Sequence, residues 1–179
     1  MTSGASVLHL GRIFERVLSG LFRHEEINGA NRCPTYLHRW TLFQPRRPRR
    51  LWRGFGVYLH KFVGDDWSLD LHDHPKRFIS IGIKGRYIEH TPPVAWYEDD
   101  EDFAWPLPAR LYTAPWVRTF PAEHIHRITL CDDRRPCWTL VIVLRHVREW
   151  GFWHCGMFMH WRNYVAPGNT MADERKACQ

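Results

Sequence analysis

Eight short runs between Gly54 and Leu144 constrain this chain most. They are "GFGVYLHKFV", "WSLDLHDH", "RFISIGI", "GRYIEHT", "RLYT", "VRTF", "HRITL" and "CWTLVIVL". Each is rich in β-branched or aromatic residues, and Gly, Pro and Asp turns separate them, as expected of short strands. The runs follow one another too closely for helices to lie between them, which predicts an all-β sandwich or barrel. A different period precedes them. In residues 6–23, Val7, Leu10, Phe14, Val17, Leu18 and Leu21 recur at three- and four-residue steps, with Arg12, Glu15 and Arg16 between. That spacing predicts one amphipathic helix whose apolar stripe packs on the domain or on a second subunit, a basic membrane-surface helix being the alternative. The chain therefore divides into an N-terminal helix and arm (1–40), a β-barrel (41–165) and a flexible tail (166–179). The Pro-, Trp- and acid-rich segment 92–108 reads as a long loop.

At 179 residues with 44% apolar content and 10 Trp, 10 Phe and 6 Tyr, the chain can bury a sizeable core. The net charge of +6 is concentrated near the start: residues 1–64 hold 11 Lys/Arg against three Glu, a local charge of +8. Most of the surplus sits in "QPRRPRRLWR" (44–53), five arginines punctuated by two prolines. Such an arm suits phosphate, nucleic acid or an acidic partner, or is a solvated connector matched by the acidic run "EDDED" (98–102). No recognition helix or other nucleic-acid motif accompanies it.

The five cysteines, Cys33, Cys131, Cys137, Cys155 and Cys178, include no C-x-x-C pair and suggest no disulfide scaffold. Cys131 and Cys137 flank a turn, where buried free thiols are expected. "MTSGASVLHLGRIF" lacks the apolar core of a signal peptide, and the longest aliphatic run, "LVIVL", is too short to span a bilayer. The expectation is a cytoplasmic protein with reduced thiols. Neither G-x4-G-K-S/T, G-x-S-x-G nor G-x-G-x-x-G occurs, which argues against phosphate-loop, serine-hydrolase and dinucleotide-binding readings.

The stretch "LDLHDHPKRFISIGIKG" (69–85) carries the chemistry. On a strand, alternation places Asp70, His72 and His74 on one face, with Leu71 and Asp73 on the other. Three polar side chains directed inward would cost about 2–7 kcal/mol each if unpaired. Metal coordination is a common way to satisfy imidazoles inside a barrel. A second pair, His124 and His126 in "FPAEHIHRI", shares a face if a strand begins near Glu123.

These pairs resemble the cupin superfamily, whose motifs read G-x5-H-x-H-x(3,4)-E-x6-G and G-x5-P-x-G-x-x-H-x3-N. His72 and His74 match the H-x-H, Gly85 the closing glycine, Pro121 the proline and His126 the second-motif histidine. Asp66 and Pro115 stand at the opening glycines, Glu123 at the inner glycine, Leu130 at the asparagine, and Phe78 where the ligand Glu belongs. "LHDHP", "GRYIEHTP" and "REWGFW" also resemble small bacterial and phage cupins of unassigned role. The resemblance covers about residues 50–150. It implies a double-stranded β-helix (jelly-roll) barrel and a three-histidine metal site, His72, His74 and His126, as in thiol dioxygenases and some other cupin oxygenases. His124 is a candidate fourth ligand, and Asp70 and Glu123 are candidates for orienting the ligands from behind. Imidazole ligands with open positions are compatible with Fe, Zn, Mn, Ni or Cu. The family comparison favours Fe(II).

Tyr87 and Glu89 share a strand face and are candidates for positioning a substrate or passing a proton; inward packing of the Tyr with Glu89 at the rim is the alternative. Arg118 and Arg127 suit a substrate carboxylate or an outward salt bridge. Trp138, and Trp150 with the other aromatics of "REWGFWHCGMFMHW" (148–161), suit the walls of a small-molecule pocket, the core, or a homodimer interface. His60 reads as a satisfied core or surface histidine, and His90 as surface. The leading functional expectation is a mononuclear non-haem iron oxygenase acting on a small organic substrate. A metal-dependent isomerase or lyase, and a ligand-binding module whose basic arm contacts a partner, are the alternatives.

Overall fold

The structure is a computed structural model describing residues 3–29, 33–46, 53–93, 107–170 and 174–175. Most of the arginine arm, most of the loop 92–108 with its acidic run, and part of the tail lie outside the described residues.

The helix forms as the period predicts: α1 spans Ser3–Leu21. β1 (Arg23–Asn28) and β2 (Thr35–Phe43) follow, inside the segment expected to hold only a helix and an arm. β2 crosses the boundary placed at residue 40. They join β3 (Gly56–Phe62), β10 (Cys137–His146), β5 (Lys76–Lys84) and β8 (Trp116–Phe120) in an antiparallel sheet ordered β1-β2-β3-β10-β5-β8. Two three-stranded sheets complete the β-structure. One is β12 (Met157–His160), β11 (Gly151–His154) and β4 (Leu71–His72); the other is β7 (Ala109–Thr113), β6 (Arg86–His90) and β9 (Arg127–Leu130). A short helix, α2 (Trp161–Tyr164), follows β12.

An antiparallel bridge between His72 and His126 stitches the two small sheets together, with N–H to carbonyl distances of 2.8 and 2.9 Å. Joined at this seam, they face the large sheet. The main apolar core lies between: Leu37 and Phe62 from β2 and β3 meet Tyr87, Ile128 and Leu130 from β6 and β9. Gly85 turns the chain from β5 into β6 with φ +90°, and a Cβ there would lie 2.5 Å from the Pro136 carbonyl oxygen. Only glycine fits that approach without strain.

The large sheet obeys strand alternation. Leu37, Arg39, His60, Phe62 and Val141 belong to its inner face, where the core and a cavity lie. Its outer face bears Trp40, Leu59 and Trp138, and α1 covers them through Leu18. Ser19 Oγ accepts a hydrogen bond from Trp40 Nε1 at 2.9 Å, and Glu15 pairs with Lys61 at 2.5 Å. The apolar stripe is covered only in part, since Val17 and Leu21 are 54% and 71% exposed. No helix among the described residues is long and apolar enough to cross a membrane. Cys131 and Cys137 are buried free thiols, as expected, whereas Cys33 is disulfide-bonded, a departure from the expectation of reduced thiols.

Candidate metal centre

The seam that joins the small sheets also assembles the histidines. His72 ends β4, His74 follows with its backbone N–H on the Ala122 carbonyl at 3.0 Å, and His126 immediately precedes β9. Their rings lie 5.0–5.1 Å apart by centroid. One ligand nitrogen from each falls within 4.8 Å of the others, and His74 Nε2 stands 2.8 Å from His126 Nε2. β4 ends at the first histidine of the H-x-H pair in one of the small sheets that face the large one, with the third imidazole bridged beside it. The fold is cupin-like.

Within this cupin-like frame Phe78, at the position of the missing glutamate, packs against the His74 ring at 4.8 Å and supplies no ligand. No protein-family model and no curated protein matches the chain. Among solved structures it is similar to the polyketide cyclase RemF from Streptomyces resistomycificus, at 11% identity and TM-score 0.49, covering 84% of this chain and 92% of that one. It is also similar to FeII HppE, at 9% identity and TM-score 0.48, covering 68% and 57%. A third likeness is to a chain from the crystal structures of DMSP lyases RdDddP and RnDddQII, at 16% identity and TM-score 0.40, covering 60% and 47%. The chain thus spans about half the length of the last two.

Buried carboxylates fix the histidines from behind. Glu89 Oε1 lies 2.8 Å from His126 Nδ1 and 3.0 Å from His124 Nε2, while Oε2 accepts from Arg118 at 2.6 Å. Burial pushes the Glu89 carboxyl up, but the hydrogen bonds from His124, His126 and Arg118 outweigh it and hold the group well below the usual carboxylate range. An ionised Glu89 accepts from His126 Nδ1–H, which turns His126 Nε2 toward His74. Burial drives His72 down to about 4 and His74 well below its ordinary value, so both are unprotonated at neutral pH. Asp66 Oδ2 stands 3.9 Å from His72 Nδ1, too far to hydrogen-bond, and instead accepts the Ile128 N–H at 2.6 Å.

Asp73 secures the segment from its other face. It is fully buried and accepts from Arg148 at 2.6 Å, the Gly151 N–H at 2.8 Å and Trp153 Nε1 at 3.1 Å. Asp70 does not share the histidine face. It accepts from Tyr164 at 2.6 Å and Arg175 at 3.0 Å and lies 2.8 Å from His154 Nδ1. Alternation fails here because β4 has only two residues, and the chain on either side is free to twist.

Several sequence candidates take other places. His124 sits in the turn before β9, its N–H on the Pro121 carbonyl; its ring is 3.0 Å from Glu89 and 5.0 Å by centroid from His126, so it groups with those two rather than with His72 and His74. Glu123 is exposed in the same turn. Tyr87 is a core residue whose hydroxyl accepts from Arg118 at 3.1 Å, and Arg118 is committed to that contact and to Glu89. Glu89, 2% exposed, supports the histidines instead of lying at the rim. Arg127 is buried, donating to the Leu69 carbonyl at 3.3 Å. Trp138 is stacked on Trp40 at 5.5 Å on the outer face of the large sheet, away from the histidines. Trp150 does line the cavity beside them, together with Trp67 and Phe152.

That cavity has a volume of about 380 Å³, and His72, His74 and His126 form part of its wall. Opposite chemistry comes from β2 and β3: Arg39 and His60 also line it, and Arg39 Nε donates to His60 Nε2 at 3.1 Å. Sequence reasoning missed Arg39 because β2 was not recognised. The alternation of Leu37 and Arg39 against His38 and Trp40 was the available signal.

Proposed function

We propose that this chain is a metal-dependent oxygenase acting on a small organic substrate at a three-histidine site. The observation that carries the reading is the convergence of His72, His74 and His126 nitrogens within 4.8 Å on the wall of a cavity of about 380 Å³. The donor set fits a divalent transition ion: His72 and His74 are held neutral by burial, and Glu89 fixes the tautomer that leaves His126 Nε2 available. Fe(II) is the ion this reading names, because three neutral ligands leave full positive charge and open positions for dioxygen and an anionic substrate group. When bound, the ion supplies the redox chemistry.

The residues of the chain do the rest. Trp67, Trp150 and Phe152 supply apolar walls that exclude water and hold the organic body of the substrate. The Arg39 guanidinium, donating to a His60 that burial holds well below its ordinary value, suits an anionic group on that substrate. Glu89 accepts from His126 Nδ1–H and so orients that ring, with Arg118 pairing the carboxylate.

The test is metal analysis of protein purified without an affinity tag, with oxygen uptake measured across a panel of small carboxylates and thiols. Near-stoichiometric iron, lost together with oxygen uptake in His72→Ala and His126→Ala, is the expected result. Full metal retention by both variants overturns the site. Metal-dependent turnover without oxygen uptake overturns the oxygenase assignment in favour of a Lewis-acid isomerase or lyase.

A further inference from the structure

A second group of metal-ligating side chains stands on the opposite face of the large sheet. The β1–β2 register sets Glu26 opposite His38 and His24 opposite Trp40, so all four side chains share one face of the strand pair. His24 Nε2 lies 3.2 Å from His38 Nδ1, and His38 Nδ1 lies 3.9 Å from Glu26 Oε1. One ligand atom from each residue falls within 4.8 Å of the other two. We propose that His24, Glu26 and His38 form a second divalent-cation site, separate from the cavity, for a borderline ion such as Zn²⁺.

The cluster is organised before any ion arrives. Trp40 is 1% exposed and stacks on Trp138, giving a fixed base. The His24 ring lies on Trp40 at 4.7 Å and 17°, and His38 on His24 at 5.3 Å and 15°. Such stacking removes the ring freedom that ligands otherwise lose on coordination. Thr35 Oγ1 donates to Asn28 Oδ1 at 2.6 Å and lies 3.5 Å from Glu26 Oε2, and Glu26 Oε1 is on the His38 side. The neighbouring cation, Lys61, is opposite His38 in the β2–β3 register but is paired with Glu15, so its charge is compensated. Two imidazoles and a carboxylate are a common Zn²⁺ donor set, and the exposed side at Glu26 leaves room for water as a fourth ligand. The register brings the Glu26 carboxylate beside the paired rings, 3.9 Å from His38 Nδ1, so all three donor groups stand within reach of one ion.

Titration of Zn²⁺ into untagged, chelator-stripped protein against a chromophoric competitor tests the proposal, with far-UV circular dichroism confirming the fold of each variant. The doubly substituted His72→Ala/His126→Ala protein is expected to bind one equivalent. Adding His24→Gln or His38→Gln to it abolishes that equivalent, and Glu26→Gln weakens it at least tenfold. In Co²⁺-loaded protein the same substitutions remove the visible absorption of a four-coordinate ion. The proposal is overturned if the His24→Gln and His38→Gln variants bind as many equivalents as their parent with unchanged affinity. The two sites fail separately: wild-type protein binding a single equivalent that disappears only with His38→Gln supports this site and removes the cavity site.

Discussion

The cavity histidines and the hairpin histidines are built from the same side chains on opposite sides of the large sheet, the first carried by the small sheets that face it and the second by its own outer face, and they differ in what stands behind the imidazoles. Around the cavity, Asp66, Asp73 and Glu89 are all buried, and each accepts hydrogen bonds from backbone amides or from other side chains. At the hairpin the carboxylate that faces the two histidines is Glu26, which is exposed. A buried carboxylate is costly unless fully paired, so the cavity group depends on long-range contacts with β8, β9 and β11. The hairpin group depends on register and stacking alone. Rigidity of the first kind suits a site that must hold its geometry against a substrate. The second kind suits an ion that binds at the surface.

Asp73→Ala should break the comparison most severely. It strips Arg148, the Gly151 amide and Trp153 of one shared acceptor in a fully buried position. Removal of one partner from such a network costs about 3–5 kcal/mol, and denaturant unfolding with chelator present is expected to show a loss in that range. Loss below about 1 kcal/mol would mean that the histidine segment is positioned by the His72–His126 bridge alone. Glu89→Gln comes next. The amide cannot balance Arg118 and cannot accept from all three of its present neighbours, so metal affinity at the cavity should fall about 10–100-fold. Competition titration of that variant and of Glu26→Gln side by side measures the contrast between the two groups.

The pH dependence sharpens it further. His60 accepts from Arg39 Nε and is held well below its ordinary value by burial, with Arg39 adding to the effect. A histidine whose folded value is depressed binds protons preferentially in the unfolded chain. It therefore adds nothing above about pH 6.5 and reduces stability progressively as pH falls below that value. Each such group contributes a slope of up to about 1.4 kcal/mol per pH unit. Chelator-treated protein should lose stability between pH 6.5 and 5. His60→Gln is expected to flatten that decline more than His38→Gln, because His38, also lowered by burial, is only partly buried. Equal flattening by the two would contradict the difference in burial.

Legibility in the sequence followed the range of the interactions. The β-class, α1, Gly85 and the three histidines could be read because each rests on local pattern: period, turn chemistry, or polar residues spaced by two. Asp70 and His124 were assigned to the histidine face by assuming continuous strands, but β4 has two residues and β9 begins only at Arg127. β1 and β2 escaped notice because "RHEEIN" forms a sheet edge and "TYLHRWTLF" is polar on both faces. With them went Arg39 and the hairpin cluster. Asp66 stood where a glycine was expected, yet it caps the Ile128 amide from 62 residues away. Only the tertiary fold reveals that contact.

The smallest effect is the most discriminating. Glu26 has a side chain 57% exposed, so solvent screens its charge and Glu26→Gln should change the stability of chelated protein by less than about 0.5 kcal/mol. Glu89→Gln under the same conditions should cost about 1–3 kcal/mol, since it leaves buried partners incompletely satisfied. With Zn²⁺ present, stability lost through Glu26→Gln should grow in proportion to the lost binding free energy, because an ion that binds only the folded chain stabilises it by mass action. A large cost without metal would instead make Glu26 part of the frame that holds β1 to β2, and the distinction between a framed site and a surface site would no longer separate the two histidine groups.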